Sequence, residues 1–428
     1  MNKKVLIITY YWPPSGGPGV QRWLKFVKYL SEFNIQPIVL TVNPQKASYQ
    51  IIDKTLESEI PKNLEIYYTD TREPFNAYKK VTRKNEIPVS GFANESKPSF
   101  LQKVSRFVRG NFFIPDPRKG WNKFAYKKAV EIIKKYNIKT VITTSPPHST
   151  QLIGLKLKNN FTIKWIADLR DPWTDIYFYK QLYHTKIAAN IDKKLEHKVL
   201  QAADNVIVVS NDIKQIFVSK INNRSSNKIK IIPNGFDHTD FEKDVNPEQN
   251  FTITYTGTIS DKYDVSAFIS ALENLKLPDN FNIKIIGSVA EQIKNQLQKS
   301  KIADKIKFIN YQPHDKSIEY IKKSTILLLI IPKIEKNKGI LTGKLFEYLA
   351  AKKTILNIGP LDGDAAEIIT ECEAGKTFDY SDTNGIQQFL SDCFIKFETN
   401  KNIEILNNKS EKYSRKNLTS ELIKIIND

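Results

Sequence analysis

Short apolar runs alternate with amphipathic stretches along most of this chain. Val5–Ile8 is an unbroken apolar run, and Val20, Trp23, Leu24, Val27 and Leu30 follow at helical spacing. Further runs of strand length lie at Pro37–Thr41, Leu64–Tyr68, Thr140–Thr144, Lys164–Ala167 and Val206–Val209, with helices expected over 121–136 and 149–159. Runs apolar at nearly every position suit strands covered on both faces, and their alternation with helices predicts a doubly wound parallel α/β sheet. The second half repeats the logic, with strands expected at Ile229–Ile232, Phe251–Tyr255, Asn282–Ile286, Ile306–Ile309, Ile326–Ile330 and Thr354–Ile358. The pattern therefore predicts two domains, 1–220 and 221–428, divided in the polar stretch Asn222–Asn227. Residues 70–120 give no clear element. A last helix over 402–426 has no strand after it and is expected to pack back on the first domain.

Composition narrows the class. With 40% hydrophobic residues in 428, the chain can fill real cores. No apolar run approaches the roughly 20 residues of a membrane span. Tyr-Trp-Pro-Pro follows the first strand where a signal peptide would carry small residues, so the expected location is cytoplasmic. Cys372 and Cys393 offer neither a disulfide framework nor metal spacing, and they read as small buried apolar residues. The net charge of +19 is uneven: residues 1–220 hold 36 Lys and Arg against 18 Asp and Glu, and residues 221–428 hold 29 against 28. The first half is thus expected to face something anionic, a nucleic acid or a membrane surface.

Ligands of open parallel sheets sit at the carboxyl ends of strands, and the unusual motifs fall there. Ser15-Gly16-Gly17-Pro18-Gly19 joins the first strand to the first helix, where glycines admit a ligand close to the backbone and helix N–H groups favour an anion. The run is not GxGxxG, which removes the dinucleotide fingerprint. Ser145-Pro146-Pro147-His148 ends one later strand, and Asp168-Leu169-Arg170-Asp171-Pro172-Trp173 ends the next. Asp168 or Asp171 would meet a substrate hydroxyl as base or orienter, with Arg170 holding it ionised or contacting phosphate. In the second half, Tyr255-Thr256-Gly257-Thr258 ends a strand, with Lys262 just beyond. Thr342-Gly343-Lys344 opens a helix with a cation in its first turn, against the helix dipole, and a bound phosphate would offset it. The glycine spacing and the lack of a hydroxyl after Lys344 exclude a Walker loop. Asp362-Gly363-Asp364 has metal-motif spacing but reads as a loop turn.

Taken in order, the glycine loop, Asp-Leu-Arg-Asp-Pro-Trp, Ile232-Pro233-Asn234-Gly235-Phe236-Asp237 and Thr-Gly-Lys-Leu-Phe-Glu-Tyr-Leu-Ala resemble the GT-B glycosyltransferases of family four. That group is retaining and uses nucleotide-sugar donors. The resemblance implies two Rossmann-like domains facing a cleft, the first on the acceptor side and the second binding donor. It implies that Gly16 and Gly17 face sugar and phosphates, that Lys262 and Lys344 neutralise the diphosphate beside Gly257 and Gly343, and that Glu347 takes the ribose hydroxyls. Catalysis would fall to Asp168, Asp171 or His148. The chain departs from the family at Gly339, where many members carry a further Glu, and at Thr258, where they carry Arg.

The expected function is transfer of a sugar from a nucleotide-diphosphate sugar to a glycan or lipid-linked acceptor, in surface polysaccharide or glycoconjugate synthesis. No metal and no cofactor beyond the donor are expected. The competing readings are a nucleotide-sugar epimerase of the same fold and a basic nucleic-acid-binding protein. No nucleic-acid module is recognisable, so no nucleic-acid partner is expected. The basic first half favours peripheral attachment to an anionic membrane surface on its cytoplasmic side. Within it, residues 100–114, if helical, would place Leu101, Val104, Phe107 and Val108 on one face, flanked by Lys103, Arg106 and Arg109.

Overall fold

The computed structural model describes residues 3–49, 51–73, 99–221, 223–246, 248–400, 403 and 405–428. The chain divides into two compact units. The first carries a seven-stranded sheet of β1 (Lys3–Ile8), β2 (Ile35–Val42), β3 (Glu65–Thr69), β4 (Thr140–Ser145), β5 (Lys164–Leu169), β6 (Asn205–Val208) and β7 (Ile229–Ile231). The second carries six strands: β8 (Phe251–Thr256), β9 (Phe281–Ile286), β10 (Ile306–Ile309), β11 (Ile326–Ile330), β12 (Thr354–Ile358) and β13 (Gly375–Phe378). Among the described residues the helices of the first unit are α1 (Pro18–Leu30), α2 (Phe100–Phe112), α3 (Asn122–Tyr136), α4 (Ser149–Asn160), α5 (Lys186–Ala202) and α6 (Asn211–Val218). Those of the second are α7 (Ser266–Glu273), α8 (Glu291–Gln298), α9 (His314–Lys323), α10 (Gly343–Ala350), α11 (Asp364–Glu371) and α12 (Thr383–Asn400); α13 (Arg415–Asn427) follows them in the chain.

The strand orders are β3-β2-β1-β4-β5-β6-β7 and β10-β9-β8-β11-β12-β13, with every described pairing parallel. Both are doubly wound sheets. The order reverses beside β1 and β4 in one and beside β8 and β11 in the other, and the loops after these strands carry the glycine, proline and lysine motifs. β1 shows how the layers form. Val5 and Ile7 point into one core with Trp23, Val27 and Ile166, while Leu6 and Ile8 point into the other with Trp121, Ala129 and Leu157. Each face of the strand is covered, so each position is apolar.

Two boundaries differ from the sequence reading. Ile229–Ile231 pairs with β6 and belongs to the first sheet, and that unit runs on to Pro233. The polar residues before it mimic a linker but only precede an edge strand. The terminal helix begins at Arg415, later than expected, and it is part of the first unit rather than the second. Leu418, Leu422, Ile425 and Ile426 enter the core beside Val20, Trp23 and Val27 of α1, while Lys3 and Lys164 donate to the carbonyls of Ile426 and Ile425 at its end. Cations there suit the negative end of the helix dipole.

Candidate active site

The opening loop uses its glycines for three different purposes. Gly16 lies against the segment 51–53: its N–H donates to the Ile51 carbonyl at 2.9 Å, and an added Cβ would stand 2.8 Å from Ile51 Cγ2. The expectation that Gly16 faces a ligand is therefore corrected: it packs against its own chain. Gly17, the N-cap of α1, has φ +100° and ψ 165°, with nothing within 4 Å of a would-be Cβ. That backbone region is open almost only to glycine, and the space beside it is empty. At Gly19 a Cβ would lie 2.6 Å from Nη1 of Arg170. The guanidinium thus rests on the first turn of α1, where a side chain larger than hydrogen would displace it.

Arg170 is held by Nε donating to the Ser145 carbonyl at 2.8 Å. Burial lowers its pKa, and Asp168 and Asp171 oppose that shift. The two carboxylates differ sharply. Asp168, fully buried at the end of β5, accepts from Arg22 Nη2 at 3.0 Å, Trp23 Nε1 at 2.7 Å and Thr144 Oγ1 at 2.8 Å. A carboxylate so enclosed has no face left for a substrate proton. Its expected acid–base role is corrected: Asp168 fastens α1 to β4 and β5. Arg22 also donates to the carbonyls of Ile232 and Pro233, at 2.9 and 2.8 Å. Asp171 accepts no side-chain hydrogen bond among the described residues. Burial raises its pKa, Arg170 opposes and Asp168 adds to the rise. It is the carboxylate of this corner suited to exchanging a proton.

His148 stands at the start of α4, its ring stacked 4.7 Å from that of Trp173. Burial, with help from the Arg170 and Lys220 charges, depresses its pKa to about 3. The imidazole is neutral through the physiological range, able to accept or donate one hydrogen bond but a feeble base. Trp173 has φ +34° and is anchored by Nε1 donating to Asp192 at 2.9 Å; Thr174 beside it donates to Glu196 at 2.7 Å. Burial raises Asp192 to about 6. The corner after β5 is thus braced from α5.

In the second unit, Gly257 ends β8 with φ +105°, and the three atoms nearest a would-be Cβ all belong to Lys344, with Nζ at 3.3 Å. Lys344, in the first turn of α10, donates to Tyr255 Oη at 2.6 Å and lies 4.3 Å from the centre of that ring. Tyr255 Oη in turn donates to the Thr258 carbonyl at 2.9 Å. Burial lowers the Lys344 pKa to about 8, with Glu347 opposing. Tyr348, one turn along α10, receives the Thr256 N–H at 3.1 Å and so ties the helix to the end of β8. Gly343 is the first residue of α10, and the N-cap Thr342 makes no side-chain cap. Cation, glycine and open helix start therefore converge at the switch point of this sheet. Lys262 stands in the loop after β8, its ammonium buried and its carbonyl accepting from Lys333 N at 2.8 Å. Glu347 lies 3.9 Å from His314 Nδ1, whose Nε2 is 3.4 Å from Asp240.

Sequence reasoning passed over Arg22 and His314, read Trp23 only as part of an apolar helix face, and quoted Tyr255 within a strand-end motif without giving it a role. His314 carried a usable signal, since it opens a helix shortly after β10. The position of Tyr255 at a strand end was visible, but its contact with Lys344 was not, because that lysine comes from a helix distant in sequence. The expected turn holds Asp362, which pairs with Lys338, whereas Asp364 is already the first residue of α11.

Two family models match the chain in sequence, Glycosyltransferase Family 4 over residues 80–240 and Glycosyl transferases group 1 over residues 236–375. No curated protein matches it. Among solved structures it is similar to a glycosyltransferase from Rickettsia africae ESF-5, at 17% identity over 99% of this chain and 97% of that one, with a TM-score of 0.62. Anabaena Alr3699/HepE in complex with UDP and glucose follows at 13% identity, 99% coverage of both chains and a TM-score of 0.61. The apo form of the lipopolysaccharide outer core galactosyltransferase WaaB gives 13%, 99% of both chains and 0.57. At these identities the structures speak for the fold, and the family models speak for the family. The two models together span residues 80–375, and with the two doubly wound units they place the chain among the family-four-like GT-B glycosyltransferases.

Proposed function

We propose that the protein moves a sugar from a nucleotide-diphosphate sugar to a glycan or lipid-linked acceptor, with retention of configuration, in the synthesis of a surface polysaccharide or glycoconjugate. The reading rests on one observation above others. Lys344 is held over Gly257 at the start of α10. A buried cation beside unsatisfied helix N–H groups is poised for a departing diphosphate, where charge grows in the transition state. Lys344 and the backbone supply there the positive charge that a divalent ion otherwise provides, so activity should survive a chelator. Lys262 is assigned to the same diphosphate, Gly343 to the opening of the helix and Glu347 to the ribose hydroxyls.

On the acceptor side we assign the chemistry to Asp171, with neutral His148 as a hydrogen-bonding partner and Gly17 and Arg170 lining the approach to α1. Retention is implied by the resemblance to the retaining group. The Anabaena protein was solved with UDP and glucose, and WaaB is named for galactosyl transfer in the lipopolysaccharide outer core. The first favours a uridine-type donor, and the second a glycolipid-type acceptor, as the first to try. The family match weighs against the epimerase and the nucleic-acid protein. Among the described residues no helix is long and apolar enough to cross a membrane. The basic first half instead favours attachment to an anionic membrane surface. The deciding experiment is a hydrolysis screen across common nucleotide sugars, with and without chelator. Release of nucleoside diphosphate from one donor, abolished by Lys344→Ala, supports the reading. Failure of every donor, with no nucleoside diphosphate bound in calorimetry, ends it.

A further inference from the structure

Helix α9 opens on a histidine where a cation is poorly placed. His314 is the first residue of that helix, and a charge on its ring opposes the helix dipole, as the charge of Lys344 does on α10. A carboxylate stands at each nitrogen of the ring. Asp240, from the helical turn His238–Phe241, has Oδ2 3.4 Å from Nε2, and Glu347, from α10, has Oε1 3.9 Å from Nδ1. The first distance is within hydrogen-bond reach, and the second is that of an ion pair. All three residues belong to the second unit.

Holding α9 in place does not call for this histidine. Lys322, in its last turn, donates to the Phe241 carbonyl at 2.7 Å, and Glu319 pairs with Lys243 at 2.8 Å. The helix is thus tied twice to the segment that carries Asp240 without help from the ring. What the ring adds is a link from that segment to α10. An imidazole with one N–H serves one neighbour, and an imidazolium serves both. Asp240 holds the ring, and the ring presents Nδ1 to Glu347. Glu347 also supports the charge of Lys344, one turn earlier on α10, and keeps 25% of its side chain exposed.

We infer that His314, itself held by Asp240, is a positioning residue that orients the Glu347 carboxylate for the ribose hydroxyls of the donor, and so sets how strongly the protein prefers a ribonucleotide to a deoxyribonucleotide. An unrestrained glutamate turns about several bonds, and freezing it on binding costs affinity. A carboxylate oriented beforehand avoids that loss when it accepts from the ribose hydroxyls. Only hydroxyl recognition passes through Glu347. The effect therefore falls on the ratio of the two nucleotide affinities and spares the diphosphate contact at Lys344. This inference rests on the assignment of Glu347 to ribose in the function proposed above.

The test is calorimetry of the full chain with uridine, adenosine and guanosine diphosphates and the 2′-deoxy form of each. The wild type should bind its preferred ribonucleotide roughly tenfold to hundredfold more tightly than the deoxy form. His314→Ala should shrink that ratio about fivefold with little change in melting temperature. His314→Asn, which sets an amide N–H close to the place of Nδ1, should restore most of it. Asp240→Asn should shrink the ratio about twofold and add little to His314→Ala in the double variant, because Asp240 acts through the ring. A purely structural histidine would weaken both nucleotides alike. An unchanged ratio in His314→Ala, or one that His314→Asn fails to restore, overturns the inference and leaves the ribose contact standing. Full additivity in the double variant overturns the part given to Asp240. A wild type that binds ribose and deoxyribose forms equally, or binds none of the nucleotides, removes the ribose assignment itself and the inference with it.

Discussion

Replacing Lys344 with methionine should make the protein more stable and worse at binding its donor. The side chain keeps its length and loses its charge. In the folded protein burial lowers the lysine pKa from 10.5 to about 8, a penalty on the charged form of about 3 kcal/mol. Some of that gain is lost with the hydrogen bond to Tyr255, worth about 1 kcal/mol. Lys344→Met should therefore unfold about 1–2 kcal/mol later at pH 7. The pH dependence gives the sign independently. Below pH 8 both folded and unfolded chains carry the proton, and the wild type bears the whole penalty. Between about 8 and 10.5 the folded chain gives up its proton first, so wild-type stability rises and the advantage of the variant fades. Diphosphate binding should run the other way. Loss of a charge-assisted hydrogen bond costs about 1.5–3 kcal/mol, roughly a tenfold to hundredfold rise in Kd. Wild-type affinity should fall above pH 8 as the ammonium empties, and that fall should be missing from the variant. Denaturant unfolding at pH 7 and 10, with calorimetry of nucleoside diphosphate binding, measures both. A variant that loses stability at pH 7, or that keeps its affinity, refutes the assignment of Lys344 as a strained phosphate cation.

Three other perturbations separate the roles assigned above. Asp168→Asn should cost about 3–5 kcal/mol in denaturant unfolding, because it removes the buried carboxylate that pairs with Arg22. Asp171→Asn should spare the fold and the donor Kd but cut turnover. Since burial raises the Asp171 pKa and His148 is already neutral, wild-type turnover should fall on acidification at a higher pH than an ordinary aspartate would give, and near-wild-type turnover by the variant would remove Asp171 from the chemistry. Glu347→Gln should lower nucleotide-sugar affinity with an unchanged melting temperature; equal affinity for ribose and deoxyribose forms of the nucleotide in the wild type would count against the ribose contact. Gly17→Ala should lose about 1–3 kcal/mol of stability from φ alone, although nothing crowds the new methyl group, and a melting temperature equal to wild type would contradict the backbone geometry.

The parts of this protein legible in its sequence are those whose cause is local. Unbroken runs such as Val5–Ile8 mark strands covered on both faces, and the motifs after β1, β4, β5, β8 and β11 are conspicuous because strand ends seldom need so much glycine and proline. What was hidden depends on partners distant in sequence. The place of Ile229–Ile231 was fixed by its pairing with β6, not by the polar residues before it. β13, Gly-Lys-Thr-Phe, is too polar to be read as a strand and exists because β12 offers it an edge. Asp168 and Asp171 have similar neighbours in the chain and opposite surroundings in space, and only the arrival of Arg22 and Trp23 from α1 tells them apart. Arg106 and Arg109 looked like solvent flanks because helical spacing gives the faces of a helix without saying which face is turned inward.

The two units meet one physical problem with two different cations. In each, a glycine near the switch point of the sheet leaves out a side chain, and a positive group from later in the chain occupies the space: Arg170 against Gly19 in the first turn of α1, Lys344 against Gly257 just after β8. The choice of residue follows from what surrounds the charge. Arg170 donates to a carbonyl and feels the charges of Asp168 and Asp171, and guanidinium stays ionised there even though burial pulls its pKa down. Lys344 has only Glu347 to oppose burial, so its pKa drops to a value where the charge responds to an incoming anion. An arginine in its place would keep its proton with or without donor. On the proposed assignment, burial strains the charged lysine and a bound phosphate would relieve it. That differential is what binding of a diphosphate, and still more its departure from a sugar, can draw upon.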